Sequence, residues 1–171
     1  MTQIRLEKIN DDNFYEVTKL RLKREQKHFV AENTYSLVHA YLALINGQQA
    51  FPFAVYADDK IVGFLMVGYD IFRNKKIEER FDWFLRDSYV LWRLMIDKRY
   101  QNKGYGKRAV ELALEFIKTL PCGEAEYCWL SYEKENVAAK NLYATFGFKE
   151  IPEAYREGGE MPAVLRIKNE E

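Results

Sequence analysis

A nearly unbroken apolar, β-prone run, Tyr89 to Ile96, enters a short glycine-bearing turn and passes straight into a long amphipathic segment. Such a run reads as a central strand covered on both faces. The turn is Asp97-Lys-Arg-Tyr-Gln101-Asn-Lys-Gly104-Tyr-Gly106-Lys-Arg. A helix is expected over 104–120, with Val110, Ala113, Leu114, Ile117 and Leu120 on one stripe and Pro121 as its stop. Strand and helix must each be covered, which points to a layered α/β arrangement.

The same turn has a chemistry. Glycine lets backbone amides approach a ligand closely. Free N–H groups at a helix start form an anion nest. The helix dipole adds positive potential, and Lys103, Lys107 and Arg108 add full charges. A pyrophosphate suits such a place. The spacing is neither that of a Walker loop nor that of a full dinucleotide fingerprint. A plain strand-to-helix connection with a solvated basic rim accounts for two glycines equally well.

The remaining chain supplies the layers. Residues 4–8 alternate weakly and read as an opening strand. Asn10, Asp11 and Asp12 offer caps for a helix from near Phe14, with Val17, Leu20, Leu22 and Phe29 as an imperfect stripe. A second helix fits 36–45, with Leu37, Ala40, Tyr41 and Leu44 on one face, ended by Asn46-Gly47. Residues 51–56 and 61–69 form a hairpin, and 70–87 is charged and irregular with helical turns near 77–85. A strand at 127–132, a helix at 136–146 and closing strands at 148–151 and 161–167 complete a β-α-α-β-β-β-α-β-α-β-β order. The fold class is mixed α/β (an α+β mixed sheet), and 171 residues fit one domain, 1–171.

Charge and cysteine usage exclude several functions. Twenty-six basic and 26 acidic side chains balance to zero, against a general nucleic-acid binder. No apolar run approaches a membrane span, and the charged N-terminus lacks a signal core. Cys122 and Cys128 make neither a disulfide framework nor a metal set, so no metal is expected. A cytoplasmic protein is expected.

Gln101-Asn-Lys-Gly104-Tyr-Gly106 resembles the Gln/Arg-x-x-Gly-x-Gly/Ala motif of the GNAT acetyltransferases. Asn102 stands where many members carry glycine, a mild departure because asparagine tolerates left-handed backbone. About thirty residues on, Asn136-Val-Ala-Ala-Lys140-Asn-Leu-Tyr143-Ala-Thr-Phe-Gly147-Phe148 resembles the family's Asn-x-x-Ala-x-x-Leu-Tyr-x-x-x-Gly-Phe. Asn136, Lys140 and Tyr143 are spaced to share one helix face, with Ala138, Leu142 and Thr145 opposite. The resemblance implies a central strand pair that splays to admit acetyl-coenzyme A. It implies a cofactor site of Leu94, Met95, Ile96, Gln101, Asn102, Lys103, Gly104, Tyr105, Gly106, Lys107, Asn136, Lys140 and Tyr143. Backbone of Leu94 and Ile96 would pair with the pantetheine arm.

The reaction sets further demands. An alkyl ammonium of pKa about 10.4 must lose a proton before it attacks a thioester. The tetrahedral oxyanion needs a donor, for which a backbone N–H near Leu94 to Ile96 serves. The resemblance puts Tyr143 beside the cofactor sulfur, as the catalytic donor to the leaving thiolate. Full transfer from phenol to thiolate is uphill by about 2 kcal/mol, so hydrogen bonding is its chief expected role. Glu25, His28, Glu32, Asp82 and Glu133 are base candidates. Each is also read as an ordinary surface group.

The acceptor follows from a closer resemblance. Leu20-Arg-Leu-Lys, Gln26, Phe29-Val-Ala-Glu-Asn33, Ser36-Leu37, Ala40-Tyr41, Leu91-Trp-Arg-Leu-Met-Ile-Asp97 and Leu130-Ser-Tyr132 resemble bacterial spermine/spermidine (diamine) N-acetyltransferases. That implies a small-molecule polyamine partner and, by family habit, a homodimer. A polycation favours carboxylates and aromatic faces. Residues 150–171 hold six glutamates, and Asp82 lies beside Trp83. Lys19, Arg21, Lys23, Arg24 and Lys27 would repel a polyamine if they lined its pocket. Another amine (a protein N-terminus, a lysine, an aminoglycoside or an amino acid) and a non-catalytic acyl-CoA-binding module are the competing readings.

Overall fold

The computed structural model describes residues 2–73 and 75–168. Its order is β1 (Ile4–Lys8), α1 (Phe14–Lys19), α2 (Asn33–Ile45), β2 (Gln49–Ala57), β3 (Lys60–Tyr69), α3 (Asp82–Leu85), β4 (Tyr89–Ile96), α4 (Tyr105–Lys118), β5 (Tyr127–Tyr132), α5 (Val137–Ala144), β6 (Lys149–Glu150) and β7 (Met161–Arg166). The described strands form one mixed sheet ordered β1-β2-β3-β4-β5-β7-β6. All neighbours are antiparallel except β4 and β5.

The β4–β5 pairing is short. Tyr89 pairs with Cys128 and Val90 with Trp129, after which the strands part. Just beyond, the β3–β4 register slips: Met66 faces Arg93 and Val67 faces Leu91, leaving Trp92 as the extra residue. A bulge bends and twists its strand. Here it falls where β4 leaves β5, so the splay expected from the sequence is present.

Each sheet face has its own core. Val110, Ala113 and Ile117 of α4 pack with Val55, Leu65, Tyr89, Leu91 and Leu130, as the stripe predicts, with Leu114 partly buried beside them; Leu120, expected on the same stripe, lies past the helix end at Lys118 and is exposed. Across the sheet, Ala40 and Ala43 of α2 and Val17 of α1 pack on Ala50, Ala54, Phe64 and Met66. Of the expected face of α2, Leu37 and Ala40 pack inward, but the other two residues do not. Asn33, Ser36, Ala40 and Ala43 are buried, whereas Tyr41 and Leu44 are exposed. Small residues let the helix approach an alanine-bearing strand closely, and larger side chains are turned outward.

Other boundaries shift. The first helix stops at Lys19 and is followed by a 3-10 turn at Arg24–Gln26. Asn10 Oδ1 accepts the Asp12 N–H at 2.9 Å, but Asn13 occupies the cap position itself. The strand expected at 148–151 is reduced to Lys149–Glu150. In the charged stretch, Phe81 and Phe84 anchor the turns around α3 against Trp129. Among the described residues no helix is long and apolar enough to cross a membrane.

Candidate active site

Where β4 and β5 part, the protein encloses a wedge-shaped cleft of about 360 Å³. One bank is residues 91–96 of β4. The other is Ser131 and Tyr132 of β5, with Asn136, Ala138, Ala139, Leu142 and Tyr143 around α5. Tyr100, Gln101, Asn102, Gly104, Tyr105 and Gly106 close one end, and Gln26, His28 and Phe29 overhang it.

The turn after β4 is fastened by Asp97, 2% exposed. Its carboxylate accepts the Arg21 N–H at 2.9 Å, the Arg99 N–H at 3.0 Å and Arg99 Nε at 2.8 Å. Burial works against the ionised form, but the hydrogen bonds from Arg99 and Arg21 outweigh it and hold the carboxyl below its ordinary pKa. Gln101 Nε2 donates to Ile96 O at 3.0 Å and to Gln26 Oε1 at 2.8 Å. The turn is thereby tied to the segment overhanging the cleft.

Backbone conformation makes the nest. Asn102 has φ 61°, and Gly104, with φ 78°, is the left-handed N-cap of α4. No side chain caps that helix, so its first-turn N–H groups are left for another acceptor. Gly106 needs no unusual backbone, and a Cβ there would meet Ile96 at an ordinary 3.7 Å. Neither strain nor packing requires that glycine. The bare backbone on the cleft side is what it adds, and this fits a phosphorylated ligand.

Tyr143 is buried at the opposite bank, its ring stacked on Tyr132 with centroids 6.0 Å apart. Among the described residues its hydroxyl has no hydrogen-bond partner, and the residue lines the cleft. Burial, then the nearby Glu160 carboxylate and the Tyr132 phenol, push its pKa well above the ordinary tyrosine value. Asn136 caps α5, its side chain accepting the Ala139 N–H at 3.1 Å. Lys140 departs from expectation: it is exposed and pairs with Glu150 at 3.1 Å. The cleft face is Asn136, Ala139, Leu142 and Tyr143, because seven residues bring a helix back almost to its starting direction whereas four overshoot it. Ala138 and Leu142, expected on the opposite stripe, line the cleft too, and Thr145 is exposed.

Lys103 and Lys107 do not line the cleft and stand at its basic rim. Of the acid–base candidates, only His28 lines it, packed on Phe29 with centroids 4.2 Å apart. Glu32 faces a separate cavity of about 110 Å³ beside Met95. Glu25 lies on the 3-10 turn and Glu133 just beyond β5, both outside the lining. Asp82 pairs with Arg86 at 3.3 Å, and Trp83 packs edge-on against Tyr127, at the far end of β5 from Ser131. Hence Asp82 and Trp83 are removed from the site. Lys19 sits over the Tyr15 ring at 3.8 Å and Arg21 bonds back to Thr18 and Leu20, so neither contributes to the lining.

The sequence reading missed Trp92, Arg93, Ser131 and Glu160 as lining residues. The bulge holds Trp92 near α2, where His39 stacks on it at 5.9 Å. Arg93 Nη2 lies 3.5 Å from His39 Nδ1, and its buried Nε has no hydrogen-bond partner among the described residues. Desolvation lowers the Arg93 pKa, while Glu160 and then Tyr35 pull the other way. Ser131 donates a short hydrogen bond to Glu160. Among the described residues no cluster of His, Cys, Asp and Glu is arranged to hold a metal ion.

A glycine nest at a helix start, beside a splayed parallel strand pair, is the arrangement of an acyl-CoA-dependent transferase. The Acetyltransferase (GNAT) family pattern matches residues 8–148, and the chain belongs to that family, which uses acetyl-CoA. The spermine/spermidine N(1)-acetyltransferase of Bacillus subtilis (strain 168) is 26% identical over 147 residues, covering 85% of this chain and 88% of that one. The structure of spermidine N-acetyltransferase from Vibrio cholerae, in complex with CoA and spermine, superposes with a TM-score of 0.65 at 17% identity, over 96% of this chain and 95% of that one. PaiA N-acetyltransferase from Thermoplasma acidophilum, in complex with coenzyme A, gives 0.61 at 16% identity, over 96% and 99%. The two structural likenesses establish the fold.

Proposed function

We propose that this protein transfers the acetyl group of acetyl-CoA to a primary amine of a polyamine, by direct attack in a ternary complex. The observation that carries the reading is the parting of β4 from β5 after Val90, with the nest at one end and Tyr143 on the facing bank. Support for the polyamine comes from the names of the Bacillus and Vibrio relatives and from a cleft that combines aromatic rings with the Glu160 carboxylate.

Bound acetyl-CoA supplies an activated thioester. Amides of Asn102 to Lys107 hold its pyrophosphate, with Lys103 and Lys107 contributing charge from the rim. Leu94 and Ile96 turn their backbone groups to the β5 side, where they offer an edge to the pantetheine arm beside the Gln101 amide that already holds Ile96 O, and one N–H there faces the acetyl oxygen as it gains charge. Asn136 reaches the arm with its NH2 group, since its carbonyl serves the helix cap. The Tyr143 hydroxyl donates to the departing sulfur. His28 is the base candidate that lines the cleft. The cytoplasmic setting and the homodimer of family habit belong to the same reading; the free thiols of Cys122 and Cys128 accord with the former, and sedimentation velocity measures the latter.

Arg93 favours a second reading, in which the acceptor carries a carboxylate near its amine, as an amino acid or a peptide terminus does. Initial rates of thiol release with spermidine, spermine, putrescine, free amino acids, an N-terminal peptide and an aminoglycoside separate the two. Saturable turnover on polyamines is expected. Turnover confined to carboxylate-bearing acceptors overturns the polyamine assignment.

A further inference from the structure

Glu160 lines the same cleft, but no cofactor contact has been assigned to it. It directly precedes β7 and accepts a hydrogen bond from Ser131 Oγ of β5. Its second carboxylate oxygen has no partner among the described residues. Side chains alternate along a strand. Tyr132 packs with Tyr143 on the sheet face that α4 and α5 cover, so Ser131 and Glu160 stand on the α2 face. On that face, but on the β4 bank, stand Trp92 and Arg93, both against His39 of α2. The two banks therefore carry opposite charges across the wedge, and Trp92 supplies an aromatic wall.

This polarity gives a diamine a direction. A carboxylate beside an amine favours its protonated form and raises its pKa; a cation beside it does the reverse. An amine held at Glu160 stays an ammonium, with no lone pair for attack. An amine on the β4 bank, next to Arg93, is favoured as the neutral nucleophile. The β4 bank also carries the backbone edge of residues 94–96.

We propose that Glu160, steadied by Ser131, is a specificity-determining residue that takes the ammonium not being acetylated, while the reacting amine lies on the Arg93 side of the wedge. The inference rests on the polyamine reading and adds the residue and the nitrogen concerned. It requires two amines in one acceptor, which makes a monoamine of equal carbon length the control.

Glu160→Gln keeps an acceptor oxygen for Ser131 and removes the charge. Putrescine and butylamine are compared as acceptors for the wild type, Glu160→Gln and Glu160→Asp, and putrescine binding to the CoA-loaded protein is measured by calorimetry. In Glu160→Gln, kcat/KM for putrescine is expected to fall about tenfold or more and its binding to weaken in parallel. Butylamine turnover is expected to change far less than that of putrescine, and the KM for acetyl-CoA to stay within about twofold of wild type. Glu160→Asp is expected to recover most of the putrescine loss. Equal losses on both amines, or an unchanged preference for putrescine, overturn the role of Glu160 while leaving the polyamine reading intact. A wild type that turns over no polyamine overturns both.

Discussion

The rings of Tyr132 and Tyr143 lie 27° from parallel, and the Tyr132 hydroxyl is committed to Glu150 at 2.8 Å. Of the stacked pair, Tyr143 alone is left to donate into the cleft. Tyr143→Phe keeps the ring and the stack. It is expected to lower kcat about 100-fold while the acetyl-CoA KM stays within about twofold. Burial, with Glu160 and Tyr132 adding, raises the Tyr143 pKa, so its neutral form persists through pH 10. The wild-type kcat profile should therefore show no alkaline limb from this residue below about pH 10. Rate measurements across that range check it.

Gly106→Ala should divide stability from binding. Alanine suits a helix better than glycine by about 0.5–1 kcal/mol, and the added Cβ meets only Ile96, at 3.7 Å. The free protein is expected to melt slightly higher than wild type. Affinity for CoA is expected to fall about tenfold, as the methyl group holds the pyrophosphate off the amides. Thermal shift with and without CoA reads both effects.

Asp97 holds the turn to the chain after α1, and Asp97→Asn should loosen that joint. The expected cost is about 2–3 kcal/mol at pH 7, from charge-assisted bonds to Arg99 and Arg21. The folded-state pKa is depressed. Its stabilisation is therefore present above the unfolded value of about 4 and is lost as pH falls through the folded value. Urea unfolding of wild type and variant should show the gap at pH 7 and its narrowing below about pH 4.

Alkaline stability has a separate source. Tyr89 is fully buried; its hydroxyl donates to Gly123 O at 3.0 Å and accepts the Cys122 N–H at 2.9 Å. Burial is the main cause that pushes its pKa up to about 12. With a raised folded-state pKa, its contribution is complete below the unfolded value of about 10 and is lost as pH rises through the folded one. Tyr89→Phe leaves two backbone groups without this partner. It should cost about 1–3 kcal/mol at neutral pH and flatten the decline of stability from pH 10 to 12. Denaturant midpoints across that window test it.

The end of the wedge formed by the turn after β4 is legible because its signals are local. An apolar strand, a left-handed turn and an amphipathic helix follow one another within residues 89–118, and each leaves its own pattern. The spacing of Lys140 from Asn136 reads as a full turn, but the cap geometry and Tyr143 select a slightly rotated face that leaves Lys140 to Glu150. The inner face of α2 was misread because bulk is a poor guide where helix and strand meet through alanine and serine. Glu160 lies 29 residues from Ser131, and nothing between them signals that they will touch. Their meeting depends on β7 pairing with β5, with Met161 opposite Tyr132. Arg93 acquires its place from a bulge, and Trp92 gives no sign in a strand of otherwise regular apolar character.

Among the described residues, two register pairs, Tyr89 with Cys128 and Val90 with Trp129, join the halves of the sheet. The sheet is thus joined at one end and open at the other, a wedge bounded by two strand edges. On the proposed reading, a CoA arm laid along the β4 edge finishes an interrupted ladder, so each turnover completes and then undoes part of the protein's own architecture. Amide hydrogen exchange in residues 91–96 should slow on CoA binding, and the grip that speeds capture will resist release of the spent carrier.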